Sequence, residues 1–167
     1  MTEKRLTKET VERFFAYGYS VEIFEFVELD DDAAESLSNY EGYLDLSGLT
    51  NLSDAAAESL SKHKANLSLN GLTSLSDAAA NCLGKYQGKL SLSSLSGRLS
   101  DSPDQAWLKV KLGWGPQITS LSDATAQKLS QFPGDLNLKG LTELSDAAAE
   151  SLSEHEGLLD LSGLTNL

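Results

Sequence analysis

The feature that most constrains this chain is a 23-residue period. Residues 44–66 return with few changes at 67–89 and again at 136–158. A fixed period of this length is typical of proteins built from one repeated supersecondary unit. A unit this short cannot bury its own apolar side chains, so neighbouring units must cover one another. The sequence therefore predicts stacked repeats and not a closed globule.

Each repeat is predicted to be a short strand, a turn and a helix. In the first regular copy, Leu44 and Leu46 have the spacing of one strand face. Ser53 and Asp54 follow as the N-cap and first-turn residues of a helix that continues through an alanine run. Positions in each repeat are counted from its first strand residue, so that Leu44 is position 0. Position 21 holds a small residue, which is Ala65 in this copy and glycine in most others. We expect this residue to end the helix as a C-cap.

The units resemble leucine-rich repeats, in particular the cysteine-containing subclass in a bacterial-type, 23-residue form. The pattern L-x-L-x-x-C-x-x-I-T-D before a helix is matched, with leucine at the cysteine position, by Leu44, Leu46, Leu49, Leu52, Ser53 and Asp54. The resemblance covers residues 21–167. It implies an α/β fold, a right-handed leucine-rich-repeat solenoid shaped as a horseshoe arc, with parallel strands on the concave side and helices on the convex side. It also implies protein binding, by fold analogy.

The repeats depart from the common leucine-rich pattern after the strand, where they have no Asn or Cys ladder. A threonine recurs instead at position 6: Thr50, Thr73, Thr119, Thr142 and Thr165. We expect these hydroxyls to hydrogen-bond to the loop backbone in place of the missing ladder.

Residues 1–20 lie outside the period and are predicted to form an N-terminal capping helix. Thr7 is its predicted N-cap, Leu6 and Val11 a hydrophobic staple, and Gly18 its C-cap. A docking helix for another protein is the alternative. The solenoid then divides into repeats at 21–43, 44–66, 67–89, 90–107, 108–135 and 136–158, with a partial repeat at 159–167.

Three of these repeats are irregular: 21–43, 90–107 and 108–135. The first is degenerate, with Val21 and Ile23 in the strand positions. In the middle of the chain, Pro103 lies in a helix start, and this helix is predicted to end near Trp107. Two interpretations follow: a new strand at 108–112 with a five-residue loop after it, or an altered long turn. The alternation of apolar residues favours the strand.

The candidate binding residues lie in the irregular segment 97–117: Trp107, Lys109, Lys111, Trp114 and Arg98. Tryptophan and arginine are enriched where interfaces carry their binding energy, and inserted loops on rigid scaffolds often bind partners. The predicted concave strand face is polar and has small side chains in the other repeats. The alternative is that the two tryptophans fill space left by a shortened helix.

No catalytic, cofactor-binding or metal-binding residue is predicted. His63 and His155 occupy a repeat position that is Tyr or Phe in other copies, which indicates packing. Cys82 stands where other copies have serine. No nucleophile elbow, zinc-protease motif, phosphate loop or C-x-x-C pair occurs. We therefore predict that the protein is not an enzyme.

Charge and hydropathy bear on partners and location. A net charge of −12 argues against nucleic acid and against an anionic membrane as the main partner. No long apolar run or signal-peptide core is seen, and a single cysteine fits a reducing compartment, so a cytoplasmic location is expected.

The predicted function is a protein–protein interaction scaffold that binds through the concave strand face or through segment 97–117. The alternative is a structural, self-assembling repeat protein. Residues 159–167 are identical to residues 44–52, and they leave a strand edge without a helix to cover it. This edge indicates either a longer array or a homo-oligomer that associates through 159–167.

Overall fold

The computed structural model describes residues 4–17 and 21–165, and it is an α/β protein with short parallel strands. The chain separates into two compact units, Met1–Arg98 and Leu99–Leu167. The described residues form seven α-helices and seven two-residue strands, with 3₁₀ turns between some of them. None of these helices is long and apolar enough to cross a membrane.

The first unit contains four of the helices and five of the strands. Its elements are β1 (Arg5–Leu6), α1 (Lys8–Tyr17), β2 (Glu28–Leu29), α2 (Asp31–Ser38), β3 (Leu44–Asp45), α3 (Asp54–Leu60), β4 (Leu67–Ser68), α4 (Asp77–Gly84) and β5 (Leu90–Ser91). Strand β1 pairs with β2, and β3, β4 and β5 form a second sheet; both sheets are parallel. Helices α1 to α4 pack successively on one another.

The second unit contains the other three helices and a two-stranded parallel sheet. Its elements are α5 (Pro103–Lys111), α6 (Asp123–Ser130), β6 (Leu136–Asn137), α7 (Asp146–Ser153) and β7 (Leu159–Asp160). Its core is formed by Ala106, Ile118, Ala126, Leu129, Leu136, Leu138, Leu141, Ala148 and Leu152.

The strands pair in the register that the period predicts. Leu44 lies opposite Leu67, and Leu67 lies opposite Leu90. In the second unit, Leu136 lies opposite Leu159. The regular repeats at 44–66, 67–89 and 136–158 therefore place their first strand leucine against the leucine 23 positions later.

Hydrogen bonds between neighbouring repeats include the predicted threonine contacts. Both the amide and the hydroxyl of Thr73 donate to the Thr50 carbonyl oxygen, at 3.0 and 3.2 Å. The amide and the hydroxyl of Thr165 donate to the Thr142 carbonyl oxygen in the same way. The Thr50 hydroxyl donates to the Val27 carbonyl oxygen at 3.5 Å. The prediction is confirmed at Thr50, Thr73 and Thr165.

Glycine after the strand permits successive repeats to approach closely. A Cβ built on Gly71 would lie 2.1 Å from the Ser47 carbonyl oxygen and 2.7 Å from that of Leu49. Both atoms belong to the backbone of the previous repeat, which cannot move away without disturbing its own turn. Gly48, Gly140 and Gly163 meet the same obstacle in their repeats.

The glycines at position 21 have a different role from the predicted C-cap. Gly97 and Gly113 are the two glycines with positive φ among the described residues, so Gly42 and Gly88 do not adopt the left-handed cap conformation. A Cβ on Gly42 would instead lie 2.6 Å from the Tyr40 hydroxyl oxygen. The C-cap prediction is therefore wrong: Gly42 makes room for the Tyr40 ring, and a Cβ on Gly88 would lie 2.1 Å from the Ala65 carbonyl oxygen and 2.9 Å from the Tyr86 ring.

The N-terminal helix is confirmed over Lys8–Tyr17, with Thr7 before its first residue. The Thr7 hydroxyl accepts the Thr10 amide at 3.4 Å, and Leu6 and Val11 are fully buried. The predicted cap at Gly18 lies outside the described residues. The strand expected at Val21 and Ile23 is not found; Ile23–Glu25 is a 3₁₀ turn, and β2 follows it and pairs with the unpredicted β1.

The strand predicted at 108–112 is wrong, because α5 occupies Pro103–Lys111. The start of this helix has favourable chemistry: Ser102 precedes it, Pro103 occupies its first turn, and Asp104 complements the helix dipole. The proposed end near Trp107 is also wrong, and the predicted repeat boundary between 107 and 108 falls inside the helix. The alternation that favoured a strand is overridden by tertiary packing of α5 against α6.

Candidate functional site

The predicted binding segment is largely used for packing. Trp107 is half-buried against the core of the second unit. Its ring meets Phe132 edge-to-face at a centroid distance of 5.0 Å, a favourable aromatic geometry. Trp107 therefore has the surroundings expected of a residue that fills space between helices.

Lys109 is buried, with 3% of its surface exposed. Its ammonium lies 2.5 Å from Asp101 Oδ1, and the other carboxylate oxygen accepts the Thr119 and Ser120 amides at 3.2 Å each. Burial alone would raise the pKa of Asp101, but the hydrogen bond and charge of Lys109, with the two amides, hold this pKa below its ordinary value. The pair ties α5 to the loop that precedes α6.

The other candidate residues do not gather into one exposed patch. Lys111 and Trp114 are half-buried, and burial lowers the pKa of Lys111. The Trp114 amide donates to the Lys109 carbonyl oxygen at 2.7 Å, closing the turn after α5. Arg98 is exposed and is the last residue of the first unit.

The polar strand face uses many of its groups in local hydrogen bonds. Asn70 Oδ1 accepts from the Ser91 hydroxyl at 2.8 Å and from the Ser93 amide at 2.9 Å. Asp160 is half-buried, and its hydrogen bonds with the Ser162 side chain and amide lower its pKa. These contacts hold neighbouring strands and turns together, and they leave the face without a large apolar anchor.

A groove at the N-terminal end of the first unit combines features that the sequence analysis did not join. It has a volume of about 1110 Å³ and is lined by Phe14, Phe15, Val21, Glu22, Ile23, Phe24, Asn39, Tyr40, Glu41, Gly42, Tyr43 and Asp45. Helix α1, residues 21–24 at the 3₁₀ turn, the segment between α2 and β3, and Asp45 of β3 supply these residues. We name it the aromatic groove.

Three rings form the fixed part of the aromatic groove. Phe15 stacks on Tyr40 at a centroid distance of 5.7 Å and an interplanar angle of 20°. Phe14 meets the edge of Tyr40 at 5.4 Å. Gly42 lets the backbone pass beneath the Tyr40 ring. This mutual packing gives the groove a defined shape before any partner arrives.

Three rings of the groove face water. Phe15 is 44% exposed, Phe24 is 45% exposed and Tyr43 is 57% exposed, although all three are large and apolar enough to gain from burial. The sequence did contain a signal: residues 14–43 hold four of the five phenylalanines and four of the five tyrosines. The missing information was that helix α1 brings its rings to those of the next repeat.

Each histidine contacts a residue of a neighbouring repeat. His63 is buried, and its ring is stacked on Tyr86 at 6.3 Å. His155 Nδ1 lies 3.3 Å from the Ser130 carbonyl oxygen. No group of three or more His, Cys, Asp or Glu side chains arranged to hold a metal ion is found within residues 4–17 and 21–165.

Comparison with known proteins adds no relative: no protein-family model, curated protein or solved structure matches this chain.

Proposed function

We propose that the chain is a non-catalytic, leucine-rich-repeat-like solenoid that serves as a protein-interaction scaffold. The 23-residue pairing of Leu44 with Leu67 and of Leu136 with Leu159 supports the repeat interpretation. The recurring threonine contacts and close glycine approaches between neighbouring repeats support it as well. Repeat scaffolds of this kind offer surface, and their function lies in what the surface binds.

The aromatic groove is the observation that carries the binding function. Exposed aromatic rings beside a preformed concavity are the features from which interface hot spots are built. Phe15, Phe24 and Tyr43 lose water on partner binding, and the contacts of Phe14 and Phe15 with Tyr40 are already formed. Preorganisation of this kind reduces the entropy cost of association.

The groove is favoured over the two surfaces proposed from sequence. In segment 97–117, Trp107 packs on Phe132 and Lys109 is enclosed with Asp101. On the strand face, polar groups such as Asn70 bond to neighbouring repeats. Neither surface offers several exposed aromatic rings around one concavity.

Peptide display tests the proposal. A random-peptide phage library is selected against the whole chain, and enriched peptides are then measured against Phe24→Ser, Trp114→Ala and Lys139→Glu. These variants probe the aromatic groove, segment 97–117 and the strand face respectively. We expect Phe24→Ser to weaken binding about tenfold or more and the other two to leave it unchanged.

Two results would contradict the groove as the binding surface. One is enriched peptides that bind all three variants equally; the other is loss of binding in Trp114→Ala or Lys139→Glu instead of Phe24→Ser. Circular dichroism of each variant establishes that it is folded. Because Phe24 is exposed by nearly half, its replacement by serine is expected to change stability little.

Self-association through β7 is the second candidate function. Strand β7 pairs with β6 on one side, and Leu158 immediately before β7 is 75% exposed. An exposed apolar residue next to a strand edge favours pairing with another chain. Light scattering over a range of concentrations tests it: a size that grows with concentration, and no longer does so in Leu158→Lys, supports this function, whereas a constant monomer size rejects it.

A further inference from the structure

The charged residues that line the aromatic groove are all acidic. They are Glu22, Glu41 and Asp45, and the described lining residues include no lysine, arginine or histidine. Glu22 and Glu41 are exposed, and Asp45 is half-buried. A partner that enters this groove therefore meets negative potential beside aromatic rings.

Lys4 and Arg5, at the start of the first strand, form ion pairs with carboxylates that do not line the groove. Lys4 forms an ion pair with Glu25, and Arg5 Nε lies 2.6 Å from Asp30 Oδ1. Arg13 lies on α1, where it is exposed, and it does not line the groove. The three groove carboxylates consequently have no lysine or arginine among their fellow lining residues.

Aromatic faces beside carboxylates suit an arginine side chain in particular. A guanidinium group stacks on a ring through cation–π attraction and donates paired hydrogen bonds to a carboxylate. Phe24 and Tyr43 supply exposed rings, and in sequence Glu22 lies two positions before Phe24 and Glu41 two positions before Tyr43. Apolar side chains of the same ligand would fill the space between the rings.

The size of the groove indicates a peptide. Its volume of about 1110 Å³ is at or above the upper end of the roughly 300–1,000 Å³ of small-molecule sites. Resting on the protein-binding function proposed above, we propose that the aromatic groove binds a cationic peptide segment that combines arginine with apolar residues.

A labelled peptide measures this directly. The probe is a fluorescein-labelled nonapeptide of alternating arginine and leucine, and fluorescence anisotropy gives its Kd for the whole chain. The comparison peptides have citrulline, which has a similar shape but no charge, or glutamate at the arginine positions. We expect citrulline to weaken binding about tenfold, a fold-change that corresponds to about 1.4 kcal/mol, and glutamate to abolish it.

Charge-reversal variants separate the groove from the overall charge of the chain. Glu22→Lys/Glu41→Lys reverses two groove carboxylates, and Glu58→Lys/Glu150→Lys reverses two exposed carboxylates on α3 and α7. Both variants change the net charge equally. We expect the groove variant to lose at least about tenfold in affinity and the matched control less than about threefold, the part due to screened long-range attraction.

The outcomes distinguish this inference from the function on which it rests. If display-selected peptides depend on Phe24 but the arginine and citrulline probes bind equally, the cationic ligand is rejected and the groove function stands. If both double variants weaken the probe equally, binding follows net charge and the inference is overturned. If the chain binds a glycan array and Phe24→Ser abolishes that binding, the ligand is not a peptide and the inference is overturned. If no peptide of any kind depends on Phe24, both proposals fail.

Discussion

Ser76 caps its own helix and at the same time hydrogen-bonds to Asp54 at the start of the preceding helix. Its hydroxyl oxygen accepts the Ala79 amide at 3.0 Å, and the hydroxyl donates to Asp54 Oδ1 at 2.5 Å. Ser53 with Asp31 and Ser145 with Asp123 repeat the contact. One hydroxyl therefore satisfies a helix end and joins two repeats, which explains why serine recurs before the helix.

Replacement of Ser76 by alanine is expected to destabilise the chain by about 1 to 2 kcal/mol. Loss of an N-cap typically costs about 1 kcal/mol, and the neighbouring Asp54 carboxylate loses a donor as well. Urea unfolding followed by circular dichroism measures the change. Ser74→Ala, at an exposed serine two residues earlier, is the control and should change stability by less than about 0.5 kcal/mol; equal effects at both positions would contradict the interpretation.

Replacement of Gly71 by alanine is expected to be far more damaging, costing about 3 kcal/mol or more. The new methyl group would lie 2.1 Å from a backbone oxygen of the previous repeat, so the two repeats must separate. Thermal unfolding of the purified variant reports the loss. Gly134→Ala is the matched control, because its Cβ would meet only the Phe132 ring, at 3.4 Å; a Gly71→Ala variant as stable as this control would show that the close approach does not exist in solution.

Replacement of Lys109 by methionine is expected to destabilise the chain by roughly 2 to 4 kcal/mol, because it leaves the Asp101 carboxylate without its cation. The pKa of Asp101 is lowered in the folded chain, so its contribution to stability is present above its unfolded pKa and is lost as pH falls through its folded pKa. The free energy of unfolding of Lys109→Met should therefore differ most from that of the parent chain near neutral pH and least at acidic pH.

Guanidinium unfolding at neutral and acidic pH checks the Lys109 prediction. Lys62→Met, at an exposed lysine after α3, is the control and should alter stability little at either pH. A Lys109→Met penalty that stays the same on acidification would show that the ion pair does not set it.

Replacement of His63 by phenylalanine is expected to leave stability unchanged or raise it by about 1 kcal/mol. Both ring nitrogens of His63 are buried without a protein hydrogen-bond partner, and Phe132 occupies the same repeat position in the other unit. Tyr86→Phe is the contrasting variant, because it removes a hydroxyl that donates to the Ala65 carbonyl oxygen, and it should destabilise by about 1 kcal/mol. Differential scanning calorimetry compares the two; a large loss in His63→Phe would indicate that a buried water or other partner satisfies the ring.

The 23-residue period by itself determined much of the local architecture. The pairing of Leu44, Leu67 and Leu90, the serine caps and the threonine contacts could all be predicted, because parallel repeats of equal length bring identical positions side by side. The N-terminal helix could also be predicted, since Thr7, Leu6 and Val11 are close in sequence. These features depend on spacing and on local chemistry, which a sequence displays directly.

Tertiary structure decided what breaks the period. Apolar and polar residues alternate over 108–112 as they do in a strand, yet residues 108–111 continue helix α5, because Trp107 packs on Phe132 and Lys109 pairs with Asp101. The aromatic groove likewise depends on Phe15 of α1, which lies outside the period, stacking on Tyr40 of the first repeat, 25 positions later. A period predicts contacts between equivalent positions, whereas these contacts join residues that are not equivalent, so only the packed fold brings them together.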